Sequence, residues 1–170
     1  MHEEELRRTG SSLAYRMLGR VADAEDVVQE GLLRFHQAEA KEEIASPGAF
    51  LTTVVTRLSI DQLRSARVGR EQHYGPWLPE PLLPEAAADA ATQAETADSL
   101  AFLVLLETLA PIERAVFLLR DVFDLGYDEI AAIVGKSEAN RRQLATRGRR
   151  HVDERRPRLE TSRASLRQAT

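Results

Sequence analysis

Side chains that can hydrogen-bond to nucleic-acid bases and phosphates are concentrated between Gly135 and Val152, in the stretch GKSEANRRQLATRGRRHV. Arginine can form two parallel hydrogen bonds to guanine, asparagine or glutamine can do the same to adenine, and threonine can contact the thymine methyl. Residues 141–170 contain ten arginines and three acidic residues, although the whole chain has a net charge of −4. The residues predicted to reach base edges are Asn140, Arg142, Gln143, Thr146 and Arg147. Those predicted to contact phosphates are Arg149, Arg150 and Arg155.

The same segment has the layout of a helix-turn-helix motif. A short first helix is predicted over residues 127–134, with Ile130, Ala131 and Val134 facing inward, and Gly135 ends it as a left-handed C-cap residue. Ser137 is expected to N-cap a second helix from residue 138 to about 155, and we include it in the DNA-binding set. The second helix of such a motif enters the major groove. The alternative is a solvated helix end, because arginine also favours helix C-termini. The turn, the cap and the arginine density together favour DNA binding.

Three helices with regular apolar spacing are predicted ahead of this motif. The first spans residues 3–19. The second, over 21–38, has Asp23 as its expected N-cap and a buried stripe formed by Val27, Val28, Gly31, Leu32 and Phe35. The third begins at Ser46-Pro47, a strong helix start, and runs to about residue 68. Its expected apolar side consists of Phe50, Leu51, Val54, Leu58 and Leu63.

A proline-rich stretch divides the chain into two helical units. The sequence YGPWLPEPLLPE has four prolines in twelve residues, which excludes a helix or a central strand. We therefore predict an all-α protein with a first domain over residues 1–72, a linker over 73–95, a second domain over 96–157 and a tail over 158–170. The second domain includes a helix from Pro111 to Val122. A linker that docks on a domain is favoured over a free one.

Several classes of protein are excluded by what the chain lacks. It has no cysteine, so disulfides and thiolate metal sites are excluded. It has no apolar run of about 18 residues, and its N-terminus is acidic where a signal peptide would be basic, so we expect a cytoplasmic protein. The four histidines are scattered, and there is no glycine-rich phosphate loop. We expect no catalytic residue, metal site or cofactor, and hence no enzyme.

The order of these segments resembles that of a bacterial extracytoplasmic-function (ECF) sigma factor, an RNA polymerase specificity subunit with two helical domains called region 2 and region 4. The resemblance covers residues 5–156 through three stretches: DAEDVVQEGLLRF, SPGAFLTTVVTRLSIDQLRS, and LAPIERAVFLLRDVFDLGYDEIAAIVGKSEANRRQLATRGRR. It looks closest to a subgroup with a WLPEP linker motif, matched here by Trp77, Leu78, Pro79, Glu80 and Pro81, and with SEA and RQLA in the second helix. Members of that subgroup typically continue into a SnoaL-like domain that regulates the sigma factor in cis. The chain stops at Thr170, so we expect a shortened form.

The resemblance implies a division of labour among the helices. The helix Asp23–Phe35 would bind the clamp helices of the polymerase β′ subunit through Asp26, Gln29 and Glu30, and region 4 would approach the β flap. The third helix would read and melt the −10 element of promoter DNA through Arg57, Asp61, Arg64 and Arg67. The helix-turn-helix would read the −35 element. An anti-sigma factor or the SnoaL-like domain is the implied regulator, and no membrane partner is implied.

Two positions depart from the wider family. Many relatives outside the subgroup have asparagine where Arg57 stands. Many members have an apolar residue where Arg141 stands, facing the motif's core. Either the stem of Arg141 lies over the core edge and its head reaches solvent or phosphate, or the second helix is loosely docked.

Two other functions compete with a sigma factor. A stand-alone helix-turn-helix regulator would account for residues 96–156 but not for the acidic second helix or the basic third helix. A protein-binding adaptor would use the arginines on an acidic partner. Salt-dependent DNA binding separates the adaptor from the other two.

Overall fold

The computed structural model describes residues 3–70 and 100–135, together with residues 143, 146, 147, 150 and 154, and side chains are described for the same residues except 67–70. The helices are α1 (Glu3–Leu18), α2 (Val21–Glu39), α3 (Pro47–Arg70), α4 (residues 100–107), α5 (Pro111–Phe117) and α6 (Tyr127–Val134). One turn of π-helix, Leu118–Val122, follows α5. These ranges contain no strand, so the all-α prediction is confirmed, and none of these helices is long and apolar enough to cross a membrane.

The junction between α1 and α2 differs from the prediction at the N-cap. Gly19 adopts a left-handed conformation with φ of 74°, and its N–H donates to the carbonyl of Tyr15 at 2.7 Å. The chain therefore turns at once, and α2 begins with Arg20 as the extended N-cap residue. The prediction that Asp23 is the N-cap is wrong. Asp23 lies in the first turn of α2, 3.9 Å from the Arg20 guanidinium, where a carboxylate still favours the helix N-terminus.

The start of α3 is as predicted. Pro47 is its first residue, and the Ser46 hydroxyl accepts a hydrogen bond from the Ala49 N–H at 3.4 Å. The helix continues to Arg70, slightly further than predicted. Helices α1, α2 and α3 all pack against one another and form the N-terminal bundle.

The core of this bundle confirms the stripe on α2 and confirms in part the one on α3, where Leu51 and Leu63 are buried as predicted. All five residues predicted for α2 are buried. On α3, Phe50, Val54 and Leu58 are only partly buried. The buried face of α3 is completed by four residues that were not predicted, Val55, Thr56, Ser59 and Ile60. This face is offset from the predicted one because it includes two hydroxyl side chains that a count of apolar residues leaves out.

The region before the helix-turn-helix is one helix in the prediction and two segments in the structure. After α5 the backbone widens into the π-helical turn, where the Phe123 N–H donates to the carbonyl of Leu118 at 3.0 Å. Asp124 then takes a positive φ of 53°. Arg120 secures the turn, because its Nη1 donates to the Leu125 carbonyl at 2.9 Å and its guanidinium lies 5.2 Å from the centre of the Tyr127 ring. These contacts set the direction in which α6 begins.

The two helical units share one continuous apolar core. Helix α3 contacts α5 and α6, and α1 contacts α5. The buried cluster runs from Leu13 and Met17 in α1 to Leu106, Leu118 and Ile130 in the second unit. The predicted −10 face of α3 therefore lies beside the helix-turn-helix.

Candidate nucleic-acid interface

The first helix of the predicted helix-turn-helix, with its C-cap, has the predicted geometry. Helix α6 starts at Tyr127, and the Glu129 carboxylate accepts a hydrogen bond from the Gly126 N–H at 2.8 Å. Gly135 ends α6 with φ of 66° and donates its N–H to the Ala131 carbonyl at 3.1 Å, which confirms the left-handed C-cap. Ile130 is fully buried, as predicted, while Ala131 and Val134 are only partly buried. Ile133, absent from the prediction, is buried and completes the contact face.

Part of the predicted DNA-binding surface lies within the described residues. Gln143, Thr146, Arg147 and Arg150 are helical and exposed. Because residues 143, 147 and 150 follow i, i+4, i+7 spacing, they share one face of the helix. The Arg150 Nε donates a hydrogen bond to a Glu154 carboxylate oxygen at 2.7 Å. This hydrogen bond, and to a smaller extent the negative charge of Glu154, raises the pKa of Arg150 above its ordinary value. The predicted residues outside the described ones are Ser137, Asn140, Arg142, Arg149 and Arg155, together with Arg141.

The predicted polymerase-binding residues lie on the solvent side of α2. Asp26 and Gln29 are exposed, and Glu30 is half-buried with an oxygen 2.7 Å from the Arg34 Nε. Leu33 is 52% exposed, which is high for a large apolar side chain. Residues 26, 30 and 33 follow i, i+4, i+7 spacing, so one face combines acidic groups with an apolar residue. Leu33 was not among the predicted contact residues, although its position off the buried stripe marks it as an exposed apolar side chain.

The predicted −10 residues lie on α3 where it faces α6. The Arg57 Nε donates to the Ile133 carbonyl at 2.9 Å, and its Nη2 donates to the Ala132 carbonyl, also at 2.9 Å. Asp61 and Arg64 are exposed, and with Arg57 they line a cleft of about 240 Å³ bordered by α6 and Gly135. The side chain of Arg67 lies outside the described residues.

Two further predictions concern the linker and bound groups. The linker motif Trp77, Leu78, Pro79, Glu80 and Pro81 lies outside the described residues. Within the part of the chain that the structure describes, no three histidine, cysteine, aspartate or glutamate side chains come together as metal ligands would.

The candidate site consists of three surfaces: the exposed face of α2, the basic side of α3, and the exposed face of the second motif helix.

Both helical units match known protein families. Residues 4–68 match the model of sigma-70 region 2, and residues 99–152 match that of sigma-70 region 4. The chain is 47% identical over 156 residues to the ECF RNA polymerase sigma factor SigJ of Mycobacterium tuberculosis, covering 88% of this chain and 48% of that protein. It is 30% identical over 138 residues to the ferric citrate uptake sigma factor FecI of Escherichia coli, covering 80% of this chain and 78% of FecI.

Two solved sigma factor structures have the same fold as this chain. The crystal structure of M. tuberculosis SigJ superposes with a TM-score of 0.68 at 41% identity, over 95% of this chain and 57% of that one. The Bartonella quintana sigma factor RpoE, crystallised with the anti-sigma factor NepR, shares the fold with a TM-score of 0.68 at 19% identity, over 89% of this chain and 91% of that one. The chain thus spans about half the length of SigJ. With both sigma regions matched in order, the chain belongs to the sigma-70 family, as a sigma factor of the extracytoplasmic-function type.

Proposed function

We propose that this chain binds core RNA polymerase and directs it to promoters through the −10 and −35 elements. The order of region 2 followed by region 4, each matched over its own helical unit, carries the proposal. The surfaces described above support it. An acidic face with an exposed leucine suits a protein partner, while exposed arginines on the second motif helix suit DNA. A stand-alone helix-turn-helix regulator would leave the region 2 unit without a role.

Each of the three surfaces has its own role in this proposal. Helix α2 would contact the β′ clamp helices through Asp26, Gln29 and Glu30. The basic side of α3 would hold the opened −10 strand, because unstacked bases need cationic groups along their backbone. The second motif helix would read the −35 element, and region 4 would meet the β flap. The proposed domains are residues 1–72 and 96–157, joined by the linker 73–95.

The proposal also covers the subgroup of sigma factors to which the chain belongs and the regulators that would bind it. The motif Trp77–Pro81 supports membership of the subgroup that carries a SnoaL-like regulatory domain. The complex of RpoE with NepR supports an anti-sigma factor as a second kind of regulator. A protein of this kind contributes binding and positioning but no bond-breaking step, and it would act in the cytoplasm with the polymerase.

The test is co-purification with core RNA polymerase, followed by transcription from a promoter library. Stable association and new start sites with shared −10 and −35 sequences are the expected result. Tight DNA binding by the chain alone, without polymerase association, would favour the stand-alone regulator. Association with an acidic protein and no DNA binding at any salt concentration would favour the adaptor.

A matched pair of charge reversals tests the role of α2. Asp26→Lys places a positive charge on the proposed polymerase face, and Glu3→Lys makes the same charge change at an exposed site on α1. We expect Asp26→Lys to weaken polymerase binding at least tenfold, equivalent to about 1.4 kcal/mol, and Glu3→Lys to leave it unchanged. Equal effects of the two variants would show that net charge, and not this face, governs binding.

A further inference from the structure

Asp124 occupies a position that suits glycine better. Among the residues that the structure describes, it is the only non-glycine residue with a positive φ, 53°, and it lies in the turn that leads into α6. Glycine adopts this conformation without steric cost, whereas aspartate and asparagine only tolerate it better than other residues do. A residue held in such a conformation points to a role for its side chain. The backbone gains nothing from an aspartate here, so any reason for one must lie in its carboxylate.

The Asp124 carboxylate contributes little to the stability of the fold. Its side chain is 96% exposed, and its Oδ1 lies 3.7 Å from the Nη1 of Arg120, four residues earlier. That distance is too long for a hydrogen bond, and exposed ion pairs of this kind stabilise proteins only slightly. Other groups secure the turn: the Arg120 Nη1 donates to the Leu125 carbonyl, and the Leu125 N–H donates to the Leu119 carbonyl, both at 2.9 Å. Stability therefore does not explain the aspartate.

Arg120 lies beside the start of the first motif helix. Its guanidinium is 5.2 Å from the centre of the Tyr127 ring, and Tyr127 is the first residue of α6. The Arg120 side chain is 32% exposed, so solvent reaches part of it. When a helix-turn-helix binds DNA, its first helix crosses the sugar-phosphate backbone while its second helix lies in the major groove. Arg120 is therefore a cation near the expected path of the backbone, and Asp124 places a negative charge next to it.

We propose that Asp124 is a specificity-determining residue, which lowers the affinity of the helix-turn-helix for DNA of any sequence by neutralising Arg120. Phosphate contacts carry no sequence information and supply essentially all of non-specific binding. Contacts to base edges do not involve this pair, so weaker phosphate binding lets them decide more of where the protein binds. This role rests on the DNA-binding function proposed above for the second motif helix, and it adds a residue that lies outside that helix.

Binding of the full-length chain to a duplex of random sequence, without polymerase, tests the role of Asp124. Fluorescence anisotropy of the labelled duplex at several salt concentrations gives both the affinity and its salt dependence. Asp124→Asn removes the charge but keeps a residue that tolerates a positive φ. It should bind about threefold more tightly at low salt, and the slope of log affinity against log salt concentration should steepen by about 1, because one further phosphate is contacted.

A matched control separates this pair from net charge. Glu3 and Arg7 on α1 form an exposed ion pair that is also 3.7 Å long and also joins residues four apart. Glu3→Gln therefore removes the same charge from the same kind of pair, outside the motif, and should leave the affinity and the salt slope unchanged. Asp124→Gly separates charge from backbone strain. It should be more stable than Asp124→Asn in urea but should gain the same DNA affinity.

A double variant tests whether Asp124 acts through Arg120. In an Arg120→Ala background, Asp124→Asn should no longer raise the affinity, because residues that act through one another show non-additive effects. Three results would each overturn the proposal: no tighter binding by Asp124→Asn at any salt concentration, an equal gain in Glu3→Gln, or a gain that persists without Arg120. The proposed function is tested separately by transcription with core polymerase and the parent chain, so the two failures are distinguishable.

Discussion

Gly31 lies where α2 and α3 are in close contact, and replacing it by alanine tests the packing of the bundle. A Cβ atom at this position would lie 3.1 Å from the Leu51 Cδ1 and 3.2 Å from the Val55 Cγ2. Both distances are shorter than ordinary van der Waals contact. Both neighbours are themselves buried, Leu51 at 2% and Val55 at 0% exposure, so neither can move away freely.

The expected effect of Gly31→Ala is the sum of two opposed contributions. Alanine stabilises a helix by about 1 kcal/mol relative to glycine. Overpacking a filled core costs about 1–3 kcal/mol. We therefore expect the free energy of unfolding to fall by about 1 kcal/mol. The matched control is Gly10→Ala on α1, whose Cβ would meet only one tight neighbour, the Leu51 Cδ2 at 3.3 Å, with both Val28 methyls at 3.6 Å or more. This variant should be as stable as the parent or more so.

Urea unfolding followed by circular dichroism gives the free energies for both variants. Repeating Gly31→Ala in a Leu51→Ala background identifies the clash, because contacting residues show non-additive effects. The cost of Gly31→Ala should shrink there, since only the Val55 contact remains tight. If Gly31→Ala is as stable as Gly10→Ala, or its cost is unchanged without Leu51, the packing argument is wrong.

Three further variants test the helix-turn-helix. Gly135→Ala should lower the free energy of unfolding, measured by urea unfolding, by about 1 kcal/mol. A Cβ atom is disfavoured at a φ of 66° even though no neighbouring atom would lie within 4 Å of it. Gln143→Ala should reduce discrimination between −35 sequences by about 1–3 kcal/mol in transcription from matched promoters, with polymerase binding unchanged. Arg150→Ala should weaken DNA binding equally on all sequences and reduce the slope of log affinity against log salt concentration by about 1, as measured by titration at several salt concentrations. A loss of affinity that depends on the DNA sequence would instead assign Arg150 to base reading.

The sequence predicted the buried stripe of α2 and the C-cap of α6 well because local rules determine both. The α2 stripe has five apolar or small residues at helical spacing, and one face of a helix can bury all of them. Gly135 marks a left-handed cap that other residues rarely adopt. Asp23 failed as an N-cap because the preceding Gly19 turns the chain early, and several residues near a helix start can be cap candidates.

The buried face of α3 could not be predicted in the same way because tertiary packing determines it. Helix α3 contacts α1, α2, α5 and α6, so the side that is buried depends on where those helices lie. Thr56 and Ser59 are fully buried although their type favours exposure, while Phe50 and Leu58 remain partly accessible. A count of apolar residues therefore shifts the predicted face around the helix axis.

Two long-range contacts show a deeper limit of sequence reasoning. Arg57 donates to the carbonyls of Ala132 and Ile133, and Arg114 donates to the carbonyl of Met17. Arg57 and its carbonyl partners are separated by 75 and 76 residues, and Arg114 and Met17 by 97. The acceptors are backbone carbonyls, which every residue has, so no side-chain type marks them. The sequence identifies Arg57 only as a cation on a helix that should approach DNA. A helix C-terminus presents converging oxygen acceptors and partial negative charge, as a phosphate does. The same guanidinium therefore has the chemistry for either partner, so its residue type alone does not predict which of the two it contacts.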